Sequence, residues 1–230
     1  MNKYCHLLFD LDHTLWDFDR NSRDTLEELF NEYGMNAFFK SFEDFLADYN
    51  LVNYRLWDDY GKGMISKDDV KYKRFINCLA NAGSDRKDLA CQMAEEYVSR
   101  SPCKTHLVEG AIELLQALSG KYGMHIITNG FNEVQYKKIR LSGLSPFFDN
   151  IFTSEDAGFQ KPDEGFFNFV FSSNGMKKEG SLVIGDNIRS DIEGAKNYGL
   201  DTIFYNPSGQ EDFAGATFMV SHLDEIQGLL

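Results

Sequence analysis

Five short apolar runs punctuate this sequence, at Tyr4 to Phe9, Met124 to Thr128, Asn150 to Thr153, Ser181 to Gly185 and Thr202 to Tyr205. Each is too short for a core helix, so each predicts a strand buried on both faces. Helical spacing fills the gaps between the later runs. In Glu109 to Leu118 the residues Ala111, Leu114, Leu115 and Leu118 share one face, and Glu133 to Leu141, Gly165 to Ser173 and Ile188 to Tyr198 follow the same rule. Gly120 and Gly199 stand where helix ends favour positive φ. Strands that alternate with helices imply a parallel sheet joined by right-handed crossovers, because parallel neighbours cannot be linked by a tight turn.

Residues 17–100 read differently, with helical patterns and no strand. Phe38, Phe42, Phe45, Tyr49, Val52 and Leu56 recur at alternating spacings of four and three, the stripe of an amphipathic helix. Ser66 with Asp69 predicts an N-terminal cap for a second helix carrying Val70, Phe75 and Leu79, and Leu89, Met93 and Tyr97 stripe a third. A chain of 230 residues accommodates one large domain with a smaller insertion. The expected architecture is thus α/β: a doubly wound (Rossmann-like) parallel-sheet core of residues 1–16 and 101–230, with an inserted helical cap of residues 17–100. Ligands of such sheets bind beyond the carboxyl ends of the strands.

The net charge of −13 argues against a nucleic-acid partner, which would need a basic face. It is compatible with a small phosphorylated ligand if a metal ion supplies positive charge locally. The four cysteines, Cys5, Cys78, Cys91 and Cys103, form no Cys-x-x-Cys pair, so neither a disulfide framework nor a structural zinc site is expected. Asp10 and Asp12 interrupt the first apolar run, and no run reaches the length of a membrane span. A soluble cytoplasmic protein with no membrane partner is the expectation.

Four predicted strands end on reactive side chains. Asp10 and Asp12 follow the first, Thr128-Asn129-Gly130 closes the second, Lys161 lies a short loop beyond the third, and Asp186-Asn187 ends the fourth with Asp191 one helical turn further on. Each has an ordinary structural explanation: turn aspartates, a helix cap, a turn, a solvated lysine. Their joint placement at strand ends of one parallel sheet is what points to a site.

These residues resemble the motifs of the haloacid dehalogenase-like hydrolase superfamily. Asp10, Asp12 and Thr14 match its first motif, Thr128 the hydroxyl of the second, Lys161 the lysine of the third, and Asp186-Asn187 with Asp191 the acidic fourth. The resemblance covers the whole chain, including the position of the cap. It implies that Asp10 is a nucleophile toward phosphorus and that Asp12 is the general acid and base. It also implies that Mg²⁺ is held by the Asp10 carboxylate, the Asp12 carbonyl and Asp186, with Asp191 and Asn187 behind them. Lys161 would separate the anions, while Thr128 and the turn at Asn129 and Gly130 would bind phosphoryl oxygens. A carboxylate at position 12 favours phosphate esters over halides, because an alkoxide must be protonated as it leaves.

The string from His13 to Phe18 and the Thr128 to Phe131 segment, with Gln135 and Lys138 beyond, look most like the noncanonical pyrimidine 5′-nucleotidase branch of helical-cap phosphatases. That resemblance implies a nucleoside monophosphate substrate. Trp16 and Phe18 would then be stacking candidates, whereas most cap aromatics, such as Tyr49, Tyr54, Trp57, Tyr60 and Tyr72, are expected to pack a core. His13 either touches substrate or fills the loop. A sugar-phosphate or phosphoglycolate phosphatase and a phosphomutase are alternatives on the same scaffold. A phosphorylatable receiver module would be shorter and would lack the cap.

Overall fold

A computed structural model describes residues 3–209 and 215–230 of the chain. The elements run β1 (His6–Phe9), α1 (Phe18–Glu32), α2 (Phe42–Gly61), α3 (Lys67–Asn81), α4 (Lys87–Arg100), α5 (Ala111–Leu118), β2 (Gly123–Thr128) and α6 (Asn132–Leu141). They continue as β3 (Asn150–Thr153), α7 (Ser154–Ala157), α8 (Glu164–Asn174), β4 (Ser181–Gly185), α9 (Gly194–Tyr198), β5 (Asp201–Tyr205) and β6 (Phe218–Val220). Two compact units result: Met1–Phe18 with Thr105–Leu230, and Asp19–Lys104. Their boundaries fall a few residues beyond those expected. One reason is that the chain after β1 stays with the first unit through Trp16 and Asp17, where Asp17 N–H donates to His106 O and Val108 N–H to Leu15 O.

The first unit is a six-stranded parallel sheet in the order β3-β2-β1-β4-β5-β6. Its alternating side chains form two cores. Leu7, Phe9, Met124, Ile126, Leu182 and Ile184 face α5, with Ala111, Leu114, Leu115 and Leu118. Leu8, Ile127 and Val183 face α8 and α9, with Phe166, Phe167, Val170 and Tyr198. Burying each large aliphatic or aromatic side chain contributes about 1.5–3 kcal/mol, so a one-residue slip of register would expel a whole face. The chain moves one way from β1 to β2 and returns to the other side of β1 as β4. The crevice at this reversal lies at the carboxyl ends of β1, β2 and β4.

The stretch Ile188 to Tyr198, expected to be one helix, begins instead as a wide π-helical turn over Ile188–Glu193. The N–H groups of Asp191 and Ile192 both donate to Asn187 O, at 2.9 and 3.3 Å, which widens the turn. The strand β6 was not anticipated; it pairs with β5 as a short parallel edge.

The second unit is helical throughout. Phe45, Tyr49, Val52 and Leu56 of α2 meet Phe75, Cys78 and Leu79 of α3, Met93 and Tyr97 of α4, and Leu26, Leu29 and Phe30 of α1. Phe38 lies outside α2, as the C-terminal cap of a 3₁₀ turn over Met35–Ala37. The cap of α3 forms reciprocally: Asp69 N–H donates to Ser66 Oγ at 3.1 Å, and Ser66 N–H donates to Asp69 Oδ2 at 2.9 Å. No helix among the described residues is long and apolar enough to cross a membrane.

Because the Ser66 side chain satisfies one orphan N–H of α3, Ser66→Ala is expected to destabilise the helical unit by about 1 kcal/mol. A lower urea midpoint for loss of helical signal supports this, and an unchanged midpoint contradicts it.

Candidate active site

The register places the reactive residues side by side. Phe9 pairs with Ile126 on one side and Ile184 on the other, so Asp10, Thr128 and Asp186 emerge at the same edge of the sheet. Asp10 N–H donates to Ile184 O at 2.9 Å, which carries the ladder one residue beyond the strand. The loop then turns sharply: Leu15 and Trp16 N–H groups both donate to Leu11 O, and His13 adopts a left-handed backbone with φ 64°.

Lys161 is buried with its ammonium among three acceptors: Asp10 Oδ1 at 2.6 Å, Asp191 Oδ1 at 2.7 Å and Ile127 O at 2.8 Å. Burial works against its charge, but Asp10 and Asp191 outweigh that effect and hold the lysine above its ordinary pKa. Asn129 fixes the lysine's backbone: its Oδ1 accepts from Lys161 N–H at 2.8 Å, and its Nδ2 donates to Lys161 O at 2.9 Å.

The carboxylates of Asp10, Asp186 and Asp191 converge, with one oxygen from each lying within 4.8 Å of the others. Asp191 is already engaged through both oxygens, by Lys161 at Oδ1 and by Asn187 N–H at Oδ2, 3.0 Å away. Gly185 makes this possible, because a Cβ there would lie 2.4 Å from Asp191 Oδ2. Asp186 Oδ1 accepts from Thr14 Oγ1 at 2.8 Å. Lys161 takes one carboxylate oxygen of Asp10, as Thr14 takes one of Asp186.

Burial and Asp191 push Asp186 from an ordinary value of 3.8 up to about 7, and burial likewise raises Asp10 despite Lys161. Converging, hard carboxylate oxygens whose ionised forms repel one another fit a small divalent cation with oxygen preference, such as Mg²⁺.

Asp12 belongs to a different charge system. Its Oδ1 receives Lys138 Nζ at 2.6 Å and its Oδ2 receives Gln135 Nε2 at 2.9 Å. Thr128 Oγ1 accepts from the same Gln135 amide at 2.7 Å and from Gly130 N–H at 3.1 Å, which leaves its hydroxyl proton available to an incoming oxygen. Gly130 is required for this closeness, since a Cβ would sit 2.3 Å from Gln135 Nε2.

The structure therefore brings together Asp10, Asp12, Thr128, Lys161, Asp186 and Asp191, and it redistributes five other expected residues. Trp16 is fully buried in the core of its unit, with Lys138 Nζ 4.2 Å from its ring centroid, so it is not a stacking platform for a ligand. Asn129 uses its amide on Lys161, and Gly130 makes room for Gln135. Asn187 caps the π-helical turn by accepting from Ser190 N–H at 2.9 Å. His13 is exposed and lies against Phe18, with ring centroids 4.7 Å apart. Gln135 and Lys138, which stood in the sequence only as part of a resemblance, are both buried at Asp12.

Fold and site together define a hydrolase built on a parallel sheet with an acidic crevice. Residues 7–205 match the family model for haloacid dehalogenase-like hydrolases, and the chain belongs to that family. It is 34% identical to the HAD-hydrolase YfnB of Bacillus subtilis, over 100% of this chain and 97% of that protein. A magnesium-bound crystal structure of YfnB superposes with a TM-score of 0.91 at 33% identity, covering 100% of this chain and 99% of that one. Similarity also extends to the pyrimidine 5′-nucleotidase PynA of Streptococcus pneumoniae, 35% identical over 93% of this chain and 88% of that protein. The pyrimidine 5′-nucleotidase YjjG of Escherichia coli is 31% identical over 99% of this chain and 98% of its own length.

The raised value of Asp186 makes a pH prediction. The native state keeps this proton up to about pH 7, whereas an unfolded aspartate releases it near 3.8, so the native state is favoured at low pH. In chelator-treated protein, stability is expected to fall as pH rises from about 4 to about 7, with Asp10 contributing in the same direction. Asp186→Asn should flatten that fall in urea titrations, and an unaltered slope contradicts the assignment.

Proposed function

We propose that this chain is a Mg²⁺-dependent phosphomonoester hydrolase that works through an aspartyl-phosphate on Asp10 and prefers pyrimidine nucleoside 5′-monophosphates. The observation that carries the chemistry is the separation of two neighbouring carboxylates. Asp10 lies with Lys161 and the acidic cluster, while Asp12 is paired with Lys138 and Gln135. Two identical groups in unlike surroundings suit two different jobs.

Asp10 Oδ2 attacks phosphorus as the bond from phosphorus to the ester oxygen breaks. Asp12, protonated for this step, gives its proton to the departing alkoxide. In the second half, Asp12 takes a proton from water as that water attacks the phosphorus on Asp10. Inorganic phosphate leaves, and both residues return to their starting states. The Lys161 ammonium lowers repulsion between Asp10 and the anionic ester, and the Thr128 hydroxyl donates to a phosphoryl oxygen. Asp10, Asp186 and the carbonyl of Asp12 would hold Mg²⁺, with Asp191 orienting the site through Lys161 and Asn187. When bound, the ion offsets negative charge on the transferring group.

The nucleotide preference is supported by the two pyrimidine 5′-nucleotidases at 31% and 35% identity over nearly the whole chain. Sugar phosphates and phosphoglycolate are the competing substrates. Comparison of kcat/KM across nucleotides, sugar phosphates and phosphoglycolate is expected to favour UMP or TMP, and a preference for sugars or a flat profile contradicts that choice. Asp10→Asn is expected to abolish turnover, and EDTA to abolish it until Mg²⁺ is restored. Turnover that survives either treatment overturns the mechanism.

A further inference from the structure

We propose that Lys138, assisted by Gln135, is the positioning residue for the proton transfer assigned to Asp12. The inference rests on the phosphatase reading above and extends it to a residue outside the four strand-end motifs.

Lys138 and Gln135 lie three residues apart on α6, so they share one face of the helix. That face is turned inward: Lys138 is only 3% exposed and Gln135 is fully buried. A lysine on the outer helix of an α/β unit ordinarily runs out to water, and burying its ammonium costs several kcal/mol unless it is paired. The pairing here is specific. The ammonium lies 2.6 Å from Asp12 Oδ1, over the ring of Trp16 at 4.2 Å and near that of Phe18 at 5.5 Å. No other carboxylate among the described residues pairs with it.

Gln135 completes the arrangement. Its Nε2 bridges Asp12 Oδ2 at 2.9 Å and Thr128 Oγ1 at 2.7 Å, and its buried Oε1 accepts no hydrogen bond. The opposite amide orientation would set Oε1 against a carboxylate oxygen, so the bridge fixes which end of the amide faces Asp12. Both oxygens of Asp12 are thereby held, and the carboxylate cannot rotate freely. The clamp also gives Asp12 its own counter-charge, separate from the Asp10–Lys161–Asp191 system. Trp16, fully buried, acts as the wall that keeps the ammonium in place.

Loss of a merely structural lysine would slow every substrate alike. Loss of a residue that positions the acid should slow the transfer of the phosphoryl group to Asp10 only for esters whose alcohol must be protonated as it leaves. Because Asp12 also acts as base when the common aspartyl-phosphate is hydrolysed, the experiment reads the first half alone, as alcohol release in a single turnover with enzyme in excess. It compares a nucleoside 5′-monophosphate, whose leaving group is an alkoxide, with p-nitrophenyl phosphate, whose phenolate departs without a proton. General acid–base catalysis contributes typically 10²–10⁴-fold, and Lys138→Met is expected to lose about tenfold or more of that in the rate of alcohol release from the nucleotide. Its rate of p-nitrophenolate release in that single turnover should stay near that of the parent protein, and Lys138→Arg should recover part of the nucleotide rate. In the Asp12→Ala background, Lys138→Met should add little further loss. If Lys138→Met does not fold, Lys138→Gln serves in the same comparison.

Equal losses on both esters, with Asp12→Ala still discriminating between them, overturn the role of Lys138 and leave the mechanism standing. If Asp12→Ala itself treats both esters alike, the acid assignment fails and this inference fails with it.

Discussion

The site is organised around one buried ammonium. Lys161 is enclosed by Asp10, Asp191 and the carbonyl of Ile127, and each of these comes from a different part of the fold. Removing one partner from such a buried ion pair typically costs about 3–5 kcal/mol, because an uncompensated charge is left behind. The surroundings are consequently arranged to deliver the lysine accurately. Asn129 clasps its backbone, Gly185 lets Asp191 approach the strand end, and the β1 register fixes Asp10 beside Ile127. The parallel sheet is the frame that makes these placements simultaneous.

A second pairing, Lys138 with Asp12, stands next to the first but does not merge with it. The two lysines keep two aspartates, separated by a single residue in the chain, in unlike electrostatic settings. Asp10 lies among carboxylates that favour a cation, whereas Asp12 is held between an ammonium and an amide. Thr128 belongs to the second system, because its hydroxyl oxygen receives the Gln135 amide, and its proton remains for a ligand. Identical groups held in unlike settings suit the two different roles proposed for them, nucleophile and proton donor.

Much of the frame was legible in the sequence. Buried parallel strands leave short, continuous apolar runs, and five of the six strands were visible on that basis, with Asp10, Thr128 and Asp186 at their ends. β6 was missed because three residues, Phe218 to Val220, are too few to show a period. The helix α1 was not singled out in the sequence, where the buried face of its first turns is polar, with Asn21, Ser22 and Thr25 facing inward. Gln135 and Lys138 were visible as residues but not as neighbours of Asp12, since a lysine on an amphipathic helix normally marks the solvated side. Here only the burial of Ile139 and the missing Cβ of Gly130 would have hinted that this face turns inward. Trp16 misled in the other direction: proximity to the site suggested a ligand contact, yet its ring packs into the core and supports Lys138.

The central claim is that Asp10, and not its neighbour, carries the phosphoryl group. Rapid quenching during turnover, reduction of any acyl phosphate with borohydride and peptide mass spectrometry test this directly. The account predicts conversion of residue 10 to homoserine, with residue 12 unchanged. Reduction at Asp12, or an intact Asp10 under conditions of full turnover, would contradict it.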